Sequence, residues 1–239
     1  MKILPFLLFS VTLVHFSYAQ NSPVIIELFT SQGCSSCPAA DKNLSEILER
    51  SHKEGAQVYG LSFHVDYWNY IGWKDPYSSK AFTERQRNYG EQMNLRSIYT
   101  PQMIVNGKDE FVGSNKSELE ISILAATKHK PAYQIYITDF QLTASGLSFR
   151  YSIDKAPTLE VMNIAIVEKN VQNYVPRGEN GGRKLHHDNV VRFFVSRPLK
   201  QDESIQIPAA DINYSSSSLI LYVQDKDWHI IGATTKLLN

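Results

Sequence analysis

At Pro131 the chain changes character. Before it, apolar runs alternate with segments of helical periodicity. After it, short apolar runs follow one another with turn residues between them and no convincing helix. The first run, Pro23 to Thr30 (PVIIELFT), is rich in β-branched residues and reads as a buried strand. Leu44, Ile47 and Leu48 then recur at helical spacing, and Val58 to Val65 reads as a second strand. Ser78 to Met93 is expected as a surface helix. Met103 to Val105, the Asn106-Gly107 turn and Glu110 to Val112 are expected as a hairpin. Ser114 to Lys130 is expected as a helix, with Ser114 as N-cap and Leu119, Ile123 and Leu124 as its apolar stripe. This order predicts an α/β layered domain over 20–130. Beyond Pro131, the runs YQIYITDF, LSFRYSI, VMNIAIVE, VVRFFV, SLILYV and WHIIGAT predict an all-β, sandwich-like domain over 131–239.

Residues 1–19 read as a signal peptide. Lys2 supplies a positive charge, Ile3 to Phe16 is mostly apolar, and Ser17-Tyr18-Ala19 resembles a cleavage site. The apolar run falls short of the roughly 20 residues that span a bilayer, so no membrane span is expected after cleavage. The mature chain is expected to be secreted or periplasmic, where disulfides persist. Acidic and basic side chains are balanced at 24 each, which argues against a nucleic-acid partner.

The chain's only two cysteines, Cys34 and Cys37, stand in TSQGCSSCPAAD where the first strand gives way to the first helix. A helix start presents unpaired N–H groups and the positive end of the helix dipole. Both favour a thiolate, the reactive form of cysteine, and comparable CxxC thiols have pKa values of roughly 3.5 to 7.5. Cys37, one turn on, is placed to resolve a mixed disulfide on Cys34. A CxxC at such a junction is a redox motif. As a mere brace it would constrain little, because the loop it closes is short.

Other candidates surround this pair. His64, at the end of the second strand, is the imidazole that would join Cys34 and Cys37 if they held Cu(I). Asp66 and Trp68 lie on the long aromatic loop DYWNYIGWKDPY, a candidate lid or groove wall. Asp66 is also a candidate proton acceptor for Cys37. The segment RGENGGR, longer than a hairpin loop needs, offers Arg177, Glu179 and Arg183 as a polar network near the cysteines. His186, His187 and Asp188 follow. Adjacent histidines on a strand point to opposite faces, so one metal site using both is disfavoured.

The first half also resembles thioredoxin, with CxxC-Pro at a helix start and Thr100-Pro101 before a late strand. More specifically, ELFTSQGCSSCPAAD, FHVDYWNYIGWKDP, YTPQMIVNG and RGENGGRKLHHDNVVR resemble a family of secreted bacterial thioredoxin-like proteins, domain-of-unknown-function family 1223. The match spans nearly the whole mature chain. The resemblance implies a thioredoxin-like α/β domain followed by the all-β domain, a cis bond before Pro101, and Thr100 and Pro101 shaping a substrate site. No activity is settled for the family.

These features together predict a thiol–disulfide oxidoreductase acting on a protein or small thiol or disulfide. No organic cofactor is expected, since there is no dinucleotide fingerprint or P-loop. The alternatives are a Cu(I)-binding or delivery protein using Cys34, Cys37 and His64, and a non-catalytic binding module with a structural disulfide.

Overall fold

The computed structural model describes residues 22–238. The expected signal peptide therefore lies outside the described residues. The first half contributes β1 (Val24–Thr30), α1 (Cys37–Lys53), β2 (Val58–His64), α2 (Lys80–Gln92), β3 (Gln102–Val105), β4 (Asp109–Val112) and α3 (Lys116–Ala126). The second contributes β5 (Ile135–Thr143), β6 (Gly146–Ile153), β7 (Val161–Glu168), β8 (Val171–Val175), β9 (Arg183–His187), β10 (Val190–Pro198), β11 (Asp202–Pro208), β12 (Ser217–Gln224) and β13 (Ile230–Leu237).

The expected thioredoxin-like α/β domain followed by a separate sandwich is not what forms. One mixed sheet of eight strands, in the order β13-β12-β7-β10-β2-β1-β3-β4, runs through both halves. Strand dominates among the described residues, with three α-helices beside it. The physical reason is the free edge of β2. A strand edge left open is a row of unpaired N–H and C=O groups, and the start of β10 closes it. Ser62 N–H donates to the Asn189 carbonyl at 2.8 Å, Val190 sits opposite Ser62, and Asn189 Nδ2 donates to the Gly60 carbonyl at 2.8 Å. β7, β12 and β13 then extend the sheet antiparallel. β11, β6 and β5 form a second sheet, and β8 pairs with β9 in a hairpin.

β1 is buried along its whole length because both faces are covered. Val24, Ile26 and Leu28 meet Ala40, Leu44 and Ile47 of α1 and Leu119 of α3. Ile25 and Phe29 meet Phe82 and Tyr89 of α2 on the other face. A third core lies between the small sheet and β7 and β12, with Phe149, Tyr151, Ile164, Ile166, Leu219 and Leu221 at its centre.

Two polar joints lock the halves together. Glu27 of β1 and Arg85 of α2 are buried and pair bidentately at 2.7 Å, while the Tyr89 and Tyr222 hydroxyls donate to the same carboxylate at 3.1 and 3.0 Å. The guanidinium also lies among the Phe194, Tyr89 and Trp228 rings, 4.8–5.5 Å from their centroids. The second joint is the β3–β4 turn. Asn106 and Gly107 both have positive φ (47° and 67°), the two-residue hairpin that an Asn-Gly pair predicts. Asn106 Oδ1 accepts from Ile25 N–H at 2.7 Å and its carbonyl accepts from Ile230 N–H at 2.9 Å. A β-carbon at Gly107 would lie 2.0 Å from the Trp228 carbonyl oxygen, so only glycine fits.

Helix limits shift modestly from the expected ones. The N-cap of α3 is Asn115, not Ser114: Asn115 Oδ1 accepts from Glu118 N–H at 3.2 Å. Leu119 of the expected stripe is buried, but Leu124 is exposed.

Candidate functional site

β1 ends at Thr30, and the chain turns through Ser31–Ser36 before α1 begins at Cys37. Cys34 and Cys37 are joined by a disulfide at this junction. Pro38 fits the first turn of α1, where its missing N–H costs nothing. Ser36 occupies the N-cap position, yet its hydroxyl makes no capping bond and instead lies 3.3 Å from Cys34 Sγ. The first turn holds no acidic residue. The positive end of the helix stands next to the two sulfurs with no carboxylate of its own first turn, and it favours a thiolate when the bond opens.

The pair is covered. Cys34 is 1% exposed and Cys37 0%, while Ser35 and Ser36 between them face solvent. The cover comes from the β8–β9 loop. Asn180, itself fully buried, donates from Nδ2 to the Gln32 carbonyl at 3.0 Å and the Cys34 carbonyl at 2.8 Å. Arg183 Nη1 donates to Asn180 Oδ1 at 2.6 Å and fixes the amide's orientation. Glu179 accepts from Ser35 N–H at 2.9 Å, and hydrogen bonding from the Ser35 side chain, then from this N–H, holds its carboxyl below the ordinary range. Arg177 is exposed, with its β-carbon near Gly72.

The aromatic loop forms the other wall. A β-carbon on Gly33 would come within 3.0 Å of Ile71 Cδ1 and 3.1 Å of Trp68 Cβ, and one on Gly178 would also reach Ile71 at 3.0 Å. Ile71 is thus clasped between the cysteine turn and the β8–β9 loop. Trp68 Nε1 donates to Thr100 Oγ1 at 2.7 Å, and the Thr100–Pro101 bond is cis. Trp68 and Glu179 thus both meet the turn that carries the disulfide, and Thr100 joins them through the Trp68 indole. The Pro101 carbonyl is spent on Gly113 N–H at 2.9 Å. Asp66 is engaged elsewhere: its carboxylate accepts from Thr83 Oγ1 at 2.6 Å, fastening the loop to α2.

Behind the disulfide lies a buried cluster that the motif reading missed. Gln32 N–H donates to Asp75 Oδ2 at 2.8 Å, and His64 Nδ1 lies 2.7 Å from the same oxygen. Burial opposes the charge of Asp75, but His64 and the N–H groups of Gln32 and Tyr77 outweigh it and bring its pKa below the usual value. The His64 ring packs edge-on against His187 with centroids 4.8 Å apart. His187 Nδ1 lies 3.3 Å from Asp41 Oδ2, and Thr30 Oγ1 donates to that oxygen at 3.4 Å. Burial disfavours a charge on His187, but Asp41, Asp75 and Asp188 outweigh it and raise its pKa. All four titratable groups are at most 3% exposed.

His64 is thus committed to Asp75. Among the described residues no three His, Cys, Asp or Glu side chains are grouped to hold a metal, so the geometry does not assemble Cys34, Cys37 and His64 as one ligand set. His186 is exposed and His187 buried, as strand alternation requires. Asn180 and Asp41 sit inside the quoted motifs, but only their burial reveals what they do.

A search of curated proteins gives no match. Among solved structures, the crystal structure of an Agrobacterium tumefaciens protein is 25% identical, with a TM-score of 0.67 over 92% of this chain and 97% of that one. A β-glucosidase from Kluyveromyces marxianus is 10% identical with a TM-score of 0.23 over 46% of this chain and 14% of that one, a likeness too slight to use. The family model described as "Protein of unknown function (DUF1223)" matches residues 25–224. The chain belongs to that family.

Proposed function

We propose that the protein is a thiol–disulfide oxidoreductase of an oxidising compartment, the periplasm or the extracellular space, in which Cys34 exchanges with substrate and Cys37 resolves. The observation that carries this reading is the disulfide set at the start of α1, with the Ser36 hydroxyl turned to Cys34 Sγ rather than to the helix. Those groups stabilise a thiolate that exists only when the bond is open. Because both sulfurs are buried, the partner is a small thiol or a short extended segment rather than a broad protein surface. Thr100, Trp68 and Glu179 would frame it.

The brace reading is favoured by that same burial. It is opposed by the short loop: with a sequence separation of 3, chain-entropy arithmetic gives only about 2 kcal/mol. The test is to titrate the chain against a glutathione redox buffer and trap thiols by alkylation, with Cys34→Ser and Cys37→Ser as controls. A reversible two-electron transition with Cys34 alkylated first supports exchange. A disulfide inert in the folded chain leaves the brace, and Cu(I) titration of the forcibly reduced chain then tests metal binding.

A further inference from the structure

We infer that the groove between α1 and the β8–β9 hairpin binds a carboxylate, and that a carboxylate seated on Arg183 releases the Asn180 cover of the disulfide. The inference names a ligand class for the oxidoreductase reading and rests on that reading. It starts from a groove of 660 Å³, lined by α1 from Pro38 to His52 and by β9 with its flanking turns. That volume suits a small molecule. The charges around it are unequally engaged. On the α1 side, Glu46 pairs with Lys42 and Lys116, and Glu49 with Lys53. Asp41 faces His187 and Thr30. Asp188 accepts from Asn170 N–H at 2.8 Å, with His186 beside it. Each acid thus has a partner. Lys169, Arg183 and Lys184 on the opposite side are exposed, and none of them has a carboxylate partner among the described residues.

Arg183 is tied to the disulfide turn through a single side chain. Its Nη1 donates to Asn180 Oδ1 at 2.6 Å, and Asn180 Nδ2 donates to the carbonyls of Gln32 and Cys34. One amide therefore separates the guanidinium from the Cys34 backbone. The bond to Asn180 joins a cation to a neutral acceptor and leaves most of the guanidinium N–H donors unspent. A carboxylate takes that fork bidentately, with charge-assisted bonds roughly twice as strong as neutral ones. Drawing Arg183 into the groove leaves Asn180 Oδ1 buried without this donor. An unsatisfied buried acceptor is costly, so the closed loop loses its advantage over the open one. The loop also holds the turn through Glu179 and Ser35 N–H, but that bond is exposed and water competes for it. A carboxylate thus binds the open loop better than the closed one, and that difference shifts the population.

The release itself makes and breaks no covalent bond. It uncovers the Cys34–Cys37 bond to a reductant, for which dithiothreitol serves as probe. The dithiothreitol monothiolate attacks Cys34 Sγ, and Cys37 leaves with the electron pair and takes a proton from water. The second dithiothreitol sulfur loses its proton to solvent and displaces Cys34, which is protonated in turn. Two electrons pass to the protein, and dithiothreitol closes to its cyclic disulfide. A natural thiol that carries a carboxylate would open the cover that it has to pass.

The test is the rate at which dithiothreitol reduces the disulfide of the folded chain at neutral pH and constant ionic strength, with succinate, with its uncharged analogue succinamide, or with neither. Near-ultraviolet circular dichroism reports whether each variant is folded. Succinate should accelerate reduction of the wild type saturably, by about tenfold, and succinamide should not. Arg183→Met should be reduced faster than the wild type without succinate and gain nothing from it. Lys184→Gln should need several-fold more succinate for half the effect, and it carries the test if Arg183→Met does not fold. A wild type reduced at one rate under all three conditions, or accelerated equally by succinamide, overturns this inference and leaves the oxidoreductase reading standing. So does a folded Arg183→Met, or a folded Lys184→Gln, that responds to succinate as the wild type does. A folded wild type that dithiothreitol reduces under none of the conditions overturns both.

Discussion

The side-chain amide of Asn180 donates to the backbone carbonyl of Cys34 across 146 residues of sequence. The same amide nitrogen reaches the carbonyl of Gln32, so one buried side chain holds the turn that presents the disulfide. Replacing it with alanine leaves the Gln32 carbonyl without its donor, leaves the Cys34 carbonyl with only Cys37 N–H at 3.2 Å, and frees the Arg183 guanidinium. Each buried group left unsatisfied costs about 1–3 kcal/mol. We therefore predict that Asn180→Ala lowers stability in urea unfolding by about 2 kcal/mol and raises the rate of disulfide reduction by a small thiol. An unchanged rate in a destabilised variant would mean that the β8–β9 loop is not the barrier to access.

Removing the disulfide should separate stability from chemistry. The double variant Cys34→Ser, Cys37→Ser is expected to lose no more than about 2 kcal/mol, because the closed loop is so short, and all exchange activity. Urea midpoints and a glutathione-coupled assay measure the two. A loss above about 5 kcal/mol would exceed what even a loop of some 100 residues gives and would make the bridge a major fastening.

The Glu27–Arg85 pair predicts shared unfolding of the two halves. Arg85→Met removes the cation that pairs, among the described residues, with the fully buried Glu27 carboxylate and should cost about 3–5 kcal/mol. Because Glu27, Arg85 and Tyr222 lie on β1, α2 and β12, the loss should appear in the signal of both halves at one denaturant midpoint. Two midpoints in the variant, one for each half, would show that the joint is peripheral.

Stability should fall away on both sides of neutrality for separate reasons. The Asp75 pKa is depressed from 3.8 in the folded chain. Its contribution is full above the unfolded value and is lost as pH falls through the lower, folded one. The His187 pKa is raised from 6.5, so its contribution is full below that value and is lost as pH rises through the folded one. Asp75→Asn should flatten the acid limb of a stability–pH curve and His187→Gln the alkaline limb. Unchanged limbs in these variants would assign the pH dependence to other groups.

What the sequence made legible was local. The PVIIELFT run, the i, i+3, i+4 spacing in α1 and the Asn-Gly pair each act within a few residues, and each element formed where expected. The cysteine turn at the β1–α1 junction was legible for the same reason. Strand partnership was not, because nothing in VVRFFV says that its first residue will lie beside Ser62. β11 (DESIQIP) shows just two inward apolar residues, and β8 (VQNYV) and β9 (RKLHH) are too polar to read as strands. Asn180 lies in the RGENGGR segment, but nothing in the sequence singles it out from its charged neighbours. Its role depends on carbonyls from a segment that the chain left long before.

That separation sets an order of events during biogenesis. Cys34 and Cys37 leave the ribosome or translocon well before the β8–β9 loop that covers them, and so does the β2 edge that β10 will close. If the chain is made into the oxidising compartment proposed above, an oxidant meets both thiols while the turn is still open, and the later strands then shut over a bond already made. We expect pulse alkylation during synthesis to find the cysteines protected by oxidation before residue 180 has emerged. Free thiols up to completion of the chain would instead require oxidation through the finished cover.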